Sequence, residues 1–179
     1  MRQITSKVIL VNGRILSHME VTNMANNLNT TTNGFNGLNI AEQVGSRAKP
    51  NGSLKILIID DIEDLAQIMC ELVCLLGHEA TFAYNGTDGI AIAKEFRPQV
   101  IICDIGLPGL SGYEVADLIR KDPELQDAIL VALSGYARPE DIKRSKDAGF
   151  ARHLGKPISI ETIQQVLDEV ARCKCNDSG

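Results

Sequence analysis

Tryptophan is absent from this 179-residue chain, and aromatic residues make up only 4% of it. Because 44% of the residues are hydrophobic, a core is expected, and it must be aliphatic. No apolar run approaches the roughly 20 residues of a membrane span. "KVILVNGRIL" at residues 7–16 is too short and too interrupted for a secretion signal. The expectation is a soluble protein with no membrane insertion.

Cysteines are few and odd in number: Cys70, Cys74, Cys103, Cys173 and Cys175. The first three stand in apolar runs, where a thiol behaves as a small hydrophobe. Cys173 and Cys175 lie one residue apart with no histidine or second pair nearby. A disulfide framework and a zinc site are both argued against, and a cytoplasmic location is expected.

Basic charge is scarce where regular structure is expected. Residues 54–179 hold 13 Lys and Arg against 21 Asp and Glu, a net −8, whereas residues 1–53 hold five against two, a net +3. An acidic globular part argues against direct nucleic-acid binding. The first 53 residues also lack a helix-turn-helix pattern.

Length and composition point to one core with an appendage. Seven asparagines crowd residues 23–39, with Thr30, Thr31, Thr32 and two glycines and no helical or strand period. Such a segment has too little apolar surface to offset the entropy of ordering it. Upstream, Asn12-Gly13 between apolar residues is a hairpin signature. Residues 1–53 are read as a disordered or weakly structured leader, 54–172 as the domain and 173–179 as a C-terminal tail.

From Leu54 short apolar runs alternate with segments of helical period. "LKILII", "EATFAY", "QVIIC", "AILVAL" and "ARHL" read as strands, and helices fall at 62–76, up to Phe96, 112–121, 139–149 and 159–172. Strict alternation of strand and helix implies right-handed crossovers and a doubly wound α/β fold with a five-stranded parallel sheet. The first, third and fourth strands are nearly all apolar, so they are central, and the polar-interleaved second and fifth are edges. The order 2-1-3-4-5 satisfies this.

In open parallel sheets ligands bind beyond the carboxyl ends of the strands. The first strand delivers Asp60 and Asp61 there, the third Asp104, the fourth Ser134 and the fifth Lys156. Taken singly each has a plain structural reading: the aspartates as helix caps, Ser134 as a turn former, Lys156 as a polar exit. Together they place three carboxylates on one rim, which is stabilised by raising a pKa or by holding a cation. An all-oxygen cluster suits Mg²⁺. Beside a free carboxylate, a lysine and a hydroxyl, such an ion makes a constellation for phosphoryl transfer, with the carboxylate as nucleophile.

The order and spacing of "IIDD" at 58–61, "CDIGLPGLSGYEV" at 103–115, "ALSGY" at 132–136 and "GKP" at 155–157 resemble the CheY-like receiver domain of two-component response regulators. The resemblance covers residues 54–172. "DIGLPGLSGYEVA" and "ALSGYARPED" are similar to the receiver modules of hybrid sensor histidine kinases. It implies a flavodoxin-like (βα)5 fold with Asp104 as phospho-acceptor. Asp61, Asp104 and the Gly106 main-chain carbonyl would bind Mg²⁺, with Asp60 acting mainly through water. Lys156 would pair with phosphoryl oxygens and Ser134 would hydrogen-bond to them.

Pro108 would shape the loop after Asp104, and Ser111, often Asp in relatives, carries little weight. His153 falls where the family usually has a switch Tyr or Phe. Gly106 and Tyr136 lie where the family tunes dephosphorylation. The implied donor is a histidine kinase or a histidine phosphotransfer protein, and the altered surface of the fourth helix, fifth strand and fifth helix would signal to a downstream protein. Such a domain is a signalling switch rather than a turnover enzyme. The alternative reading is a Mg²⁺-dependent phosphatase with an aspartyl-phosphate intermediate, but "DIGLPG" offers no second acid for the leaving group. A nucleotide binder of this layout would need a glycine-rich loop after the first strand, which is lacking.

Overall fold

The computed structural model describes residues 9–11, 14–16, 53–135 and 138–176, with side chains described for 53–135 and 138–172. The Asn-rich segment 23–39, the expected leader apart from 9–11, 14–16 and 53, and Tyr136 lie outside the described residues. The chain divides into two units, Met1–Ala48 and Lys49–Gly179. In the first, β1 (Ile9–Val11) and β2 (Arg14–Leu16) pair antiparallel with Val11 opposite Arg14. Asn12-Gly13, read from the sequence as the turn, lie outside the described residues.

The second unit alternates strands and helices in chain order: β3 (Lys55–Ile59), α1 (Glu63–Leu75), β4 (Glu79–Ala83), α2 (Gly86–Phe96), β5 (Val100–Asp104), α3 (Gly112–Lys121), β6 (Ile129–Ser134), α4 (Pro139–Asp147), β7 (Arg152–Gly155) and α5 (Ile160–Asn176). The strands pair in parallel in the order β4-β3-β5-β6-β7, the 2-1-3-4-5 order expected. Every residue of β5 is buried, and β3 and β6 leave only their first residues partly open. They have neighbours on both sides and helices over both faces, which is why their sequences are nearly all aliphatic. On the edges, β4 exposes Glu79 and β7 exposes Arg152 and Gly155.

One face of the sheet presents Leu57, Ile59, Ile101, Cys103, Leu130 and Ala132 to Val115, Ala116 and Ile119 of α3. The intervening Ile56, Ile58, Ile102 and Leu133 point the other way and are equally buried. Each such Ile or Leu contributes about 1.5–3 kcal/mol by burial. Gly77, at φ 94°, ends the α1 segment as the sequence suggests.

Several bounds and the weight of one residue differ from the sequence reading. The α5 helix runs to Asn176, four residues into the expected tail, because no Gly or Pro stops it after Arg172. The third, fourth and fifth strands are each shifted by one residue, so that Asp104 and Ser134 are themselves the last members of theirs; Gln99, expected to open the third, instead turns its side-chain oxygen to the Lys55 N–H at 3.0 Å. Ser111 has a definite job. Its Oγ accepts from the Glu114 N–H while Glu114 Oε2 accepts from the Ser111 N–H at 2.9 Å, a capping box that starts α3.

Candidate functional site

The rim at the carboxyl ends of β3, β5, β6 and β7 collects the expected residues. Asp60 follows the last residue of β3 and is fully buried. Its N–H donates to the Ala83 carbonyl at 3.1 Å, its Oδ1 accepts from the Ile62 N–H at 3.0 Å, and its Oδ2 accepts from Lys156 Nζ at 2.7 Å. Asp61, the next residue, is exposed. Asp104 ends β5, where Oδ1 accepts from the Gly106 N–H at 3.1 Å and Oδ2 from Lys156 Nζ at 3.0 Å. Asp60, Asp61 and Asp104 each offer a carboxylate oxygen, and these lie within 4.8 Å of one another.

Lys156 reaches the cluster because its own N–H donates to the Ser134 carbonyl at 2.8 Å, which holds the start of the segment after β7 against the end of β6. The Lys156-Pro157 peptide bond is cis. Burial acts to lower the Lys156 pKa, but hydrogen bonds and charge from Asp60 and Asp104 outweigh it and hold the ammonium above its ordinary range. One lysine therefore neutralises part of a three-carboxylate cluster. The remaining oxygens are hard donors of the kind Mg²⁺ prefers, so the residues present fit that ion.

A Cβ at Gly106 would lie 3.8 Å from both carboxylate oxygens of Asp104, at ordinary contact distance, so this residue lies directly against that carboxylate. Cys103, next to Asp104, is no rival nucleophile: burial first, then the charges of Asp104 and Asp60, push its thiol pKa far up.

Ser134 is buried and is the last residue of β6, the strand that pairs with β5. His153 does not join the rim. It lies within β7 opposite Ala132, and its Nδ1 is 2.7 Å from Ser145 Oγ of α4. Sequence reasoning placed His153 without its partner, because α4 is mostly polar and its pattern marks no inward face for Ser145. It also missed the Gly106 N–H bond to Asp104 and the Lys156 bond to Asp60, for which no local signal exists.

Comparison with known proteins agrees with this geometry. The family described as response regulator receiver domain matches residues 56–168. The polar-differentiation response regulator DivK of Brucella anthropi is 32% identical over 118 residues, covering 64% of this chain and 96% of that protein. DivK of Brucella ovis is 30% identical over the same length. Among solved structures, the chemotaxis response regulator CheY4 of Vibrio cholerae superposes with a TM-score of 0.63 at 27% identity, covering 66% of this chain and 99% of that one. The receiver domain of a signal transduction histidine kinase from Syntrophus aciditrophicus, at 22% identity and a TM-score of 0.61, shares the fold.

A doubly wound sheet with carboxylates and a lysine at its rim defines the phospho-accepting class of signalling domain. This chain belongs to the response regulator receiver domain family, and it is a CheY-like receiver of two-component signal transduction.

Proposed function

We propose that Asp104 accepts a phosphoryl group from the phosphohistidine of a histidine kinase or a histidine phosphotransfer protein. The observation that carries this is Lys156 Nζ held 3.0 Å from Asp104 Oδ2, in a cluster where Asp60, Asp61 and Asp104 each bring a carboxylate oxygen within 4.8 Å of the others. A carboxylate oxygen of Asp104 attacks phosphorus, the new O–P bond forms as the N–P bond breaks, and the donor imidazole keeps the electron pair and takes a proton. Asp61, Asp104 and the Gly106 carbonyl would hold Mg²⁺, with Asp60 acting through water. Bound there, the ion offsets the negative charge of the phosphoryl oxygens. Lys156 turns from Asp104 Oδ2 to those same oxygens, and the Ser134 hydroxyl donates to them.

Phosphorylation adds roughly −1.5 to −2 charge at the rim. Lys156 and Ser134 move toward it, which displaces the segments after β7 and β6 and changes the α4, β7 and α5 surface that a partner protein reads. Two facts support α4 as the moving part: Ser145 is its buried side chain, and that residue touches His153. Exposed Lys143, Arg144, Lys146 and Arg152 lie on this side, although Arg152 already pairs with Glu169 at 3.0 Å. Gly106 and Tyr136 are proposed to set how long the phosphoryl group lasts. The motif likeness to hybrid-kinase receivers favours a phosphorelay donor.

A signalling role rather than turnover is supported by Gly106, which puts no acid two residues after the nucleophile to protonate a leaving group. Among the described residues no helix is long and apolar enough to cross a membrane. We place the protein in the cytoplasm; its described cysteines, Cys70, Cys74 and Cys103, form no disulfide. Residues 54–172 are the receiver in this reading, and 1–53 a separate leader.

Incubation with Mg²⁺ and acetyl phosphate is expected to add one phosphoryl group by intact mass, and Asp104→Asn to add none. Rapid multiple turnover of unrelated phosphomonoesters would overturn the reading. For the output surface, amide exchange in α4 and β7 that stayed the same after phosphorylation would refute the proposed switch.

A further inference from the structure

Gly112 opens α3 directly against the main chain that carries Asp104. A Cβ at Gly112 would lie 2.3 Å from the Asp104 carbonyl oxygen, 2.8 Å from Ile105 Cα and 3.0 Å from the Asp104 carbonyl carbon. All three are backbone atoms, so no side-chain rotation relieves the overlap, and either α3 or the end of β5 must move. The Gly112 N–H also donates to the Ile105 carbonyl at 3.2 Å, closing residues 105–112 into a loop.

That loop is held from two further directions. On its far side, a Cβ at Gly86, the first residue of α2, would lie 2.7 Å from the Leu110 carbonyl oxygen and 2.7 Å from Val115 Cγ2. From within, buried Leu107 joins the core cluster. Neither Gly86 nor Gly112 has a positive φ, so each is required by close approach and not by backbone conformation. The same loop supplies the Gly106 N–H that orients Asp104 Oδ1 at 3.1 Å.

We propose that Gly112, assisted by Gly86, is a positioning residue for the acceptor site: its bare Cα lets α3 close on Asp104 and Ile105 and so sets the separation between the Asp104 carboxylate and the Gly106 main chain. The inference rests on Asp104 being the phospho-acceptor beside Mg²⁺. A displacement of the order of an ångström in such a group costs about a hundredfold in rate.

The test compares Gly112→Ala, Gly86→Ala and Gly89→Ala in the full chain. Gly89 is a control because its Cβ would meet the Ile59 side chain, Cδ1 at 2.5 Å, Cγ1 at 3.1 Å and Cγ2 at 3.2 Å, which lies outside the loop. Calorimetric titration with MgCl₂ and thermal melting are read on each variant, alongside phosphoryl uptake from acetyl phosphate. Gly112→Ala is expected to bind Mg²⁺ about tenfold more weakly and to take up phosphoryl about a hundredfold more slowly. Gly89→Ala is expected to lose melting temperature yet stay within about twofold of wild type in Mg²⁺ affinity.

Wild-type Mg²⁺ affinity in Gly112→Ala would overturn the proposal, as would an equal loss in Gly89→Ala. If Gly112→Ala does not fold, Gly86→Ala decides: weakened Mg²⁺ binding supports the proposal and unchanged binding overturns it. Failure of the underlying reading looks different, because the wild-type chain itself would then neither bind Mg²⁺ nor accept phosphoryl, and both would fall.

Discussion

Lys156 Nζ lies 2.7 Å from Asp60 Oδ2, although 96 residues separate the two in sequence. Asp60 is fully buried, and a buried carboxylate requires a partner. The same ammonium reaches Asp104, so the lysine that is proposed to meet the phosphoryl group is held between two carboxylates beforehand. Four consequences can be measured, two at the rim and two elsewhere in the fold.

Replacing Lys156 by Met removes a cation that competes for the carboxylates and that stabilises the transferring group. Phosphoryl uptake from acetyl phosphate is expected to slow by about a hundredfold. Mg²⁺ affinity is expected to rise, because a positive charge beside its ligands is gone. A time course by intact mass and a calorimetric titration check the two halves, and weaker Mg²⁺ binding would contradict the geometry.

The pH dependence of stability has a definite sign. Burial opposes the Lys156 charge, but Asp60 and Asp104 prevail and raise its pKa above the ordinary 10.5. A raised lysine pKa contributes stability that is fully present below the ordinary value and is lost as pH rises through the folded-state value above it. The difference in melting temperature between wild type and Lys156→Met, without Mg²⁺, is therefore expected to be constant near neutral pH and to shrink only above the ordinary lysine range. A gap that stayed unchanged as pH rose through and beyond the ordinary lysine range would rule this out.

The Ser145 and His153 contact couples α4 to β7. Ser145 Oγ also donates to the Asp141 carbonyl at 2.9 Å, so its loss touches two partners. A double-mutant cycle with Ser145→Ala and His153→Ala isolates the shared interaction. The coupling is expected to be about 1 kcal/mol in urea denaturation, and additive single effects would show that the contact contributes nothing.

Arg120 ties down the opposite end of the fold. Its Nη1 donates to the Gln126 and Ala128 carbonyls and its Nη2 to the Gly149 carbonyl at 2.7 Å, joining the end of α3 to the turns before β6 and β7. Arg120→Met is expected to lower stability by about 2–3 kcal/mol, read as the urea midpoint. Mg²⁺ affinity should not change, since these carbonyls precede the strands whose far ends form the site.

The element order and the sheet order were legible because local patterns carry them. Near-continuous aliphatic runs such as "KILII" and "VIICD" mark strands covered on both faces, and the exposed Glu79 and Arg152 mark edges. Asp60, Asp61, Asp104, Ser134 and Lys156 were legible for the same reason, since a residue at the end of a parallel strand has its place decided by topology. His153 was legible only in part: its position in β7 follows from the strand pattern, but its partner belongs to α4, whose mostly polar sequence gives few anchors. The helix end at Asn176 was misjudged because sequence signals for termini are weak where no Gly or Pro intervenes.

By itself the sequence determined which side chains reach the rim, through hydrophobic periodicity and the parallel sheet that periodicity forces. Only the tertiary structure decided how those side chains pair. Lys156 bridges Asp60 and Asp104, Gly106 donates its N–H to the Asp104 carboxylate, and Gly112 meets the Asp104 carbonyl where no Cβ fits. Each of these depends on distances of a few tenths of an ångström, set by strand twist and by how closely α2 and α3 pack on one loop, and no local run of residues encodes them.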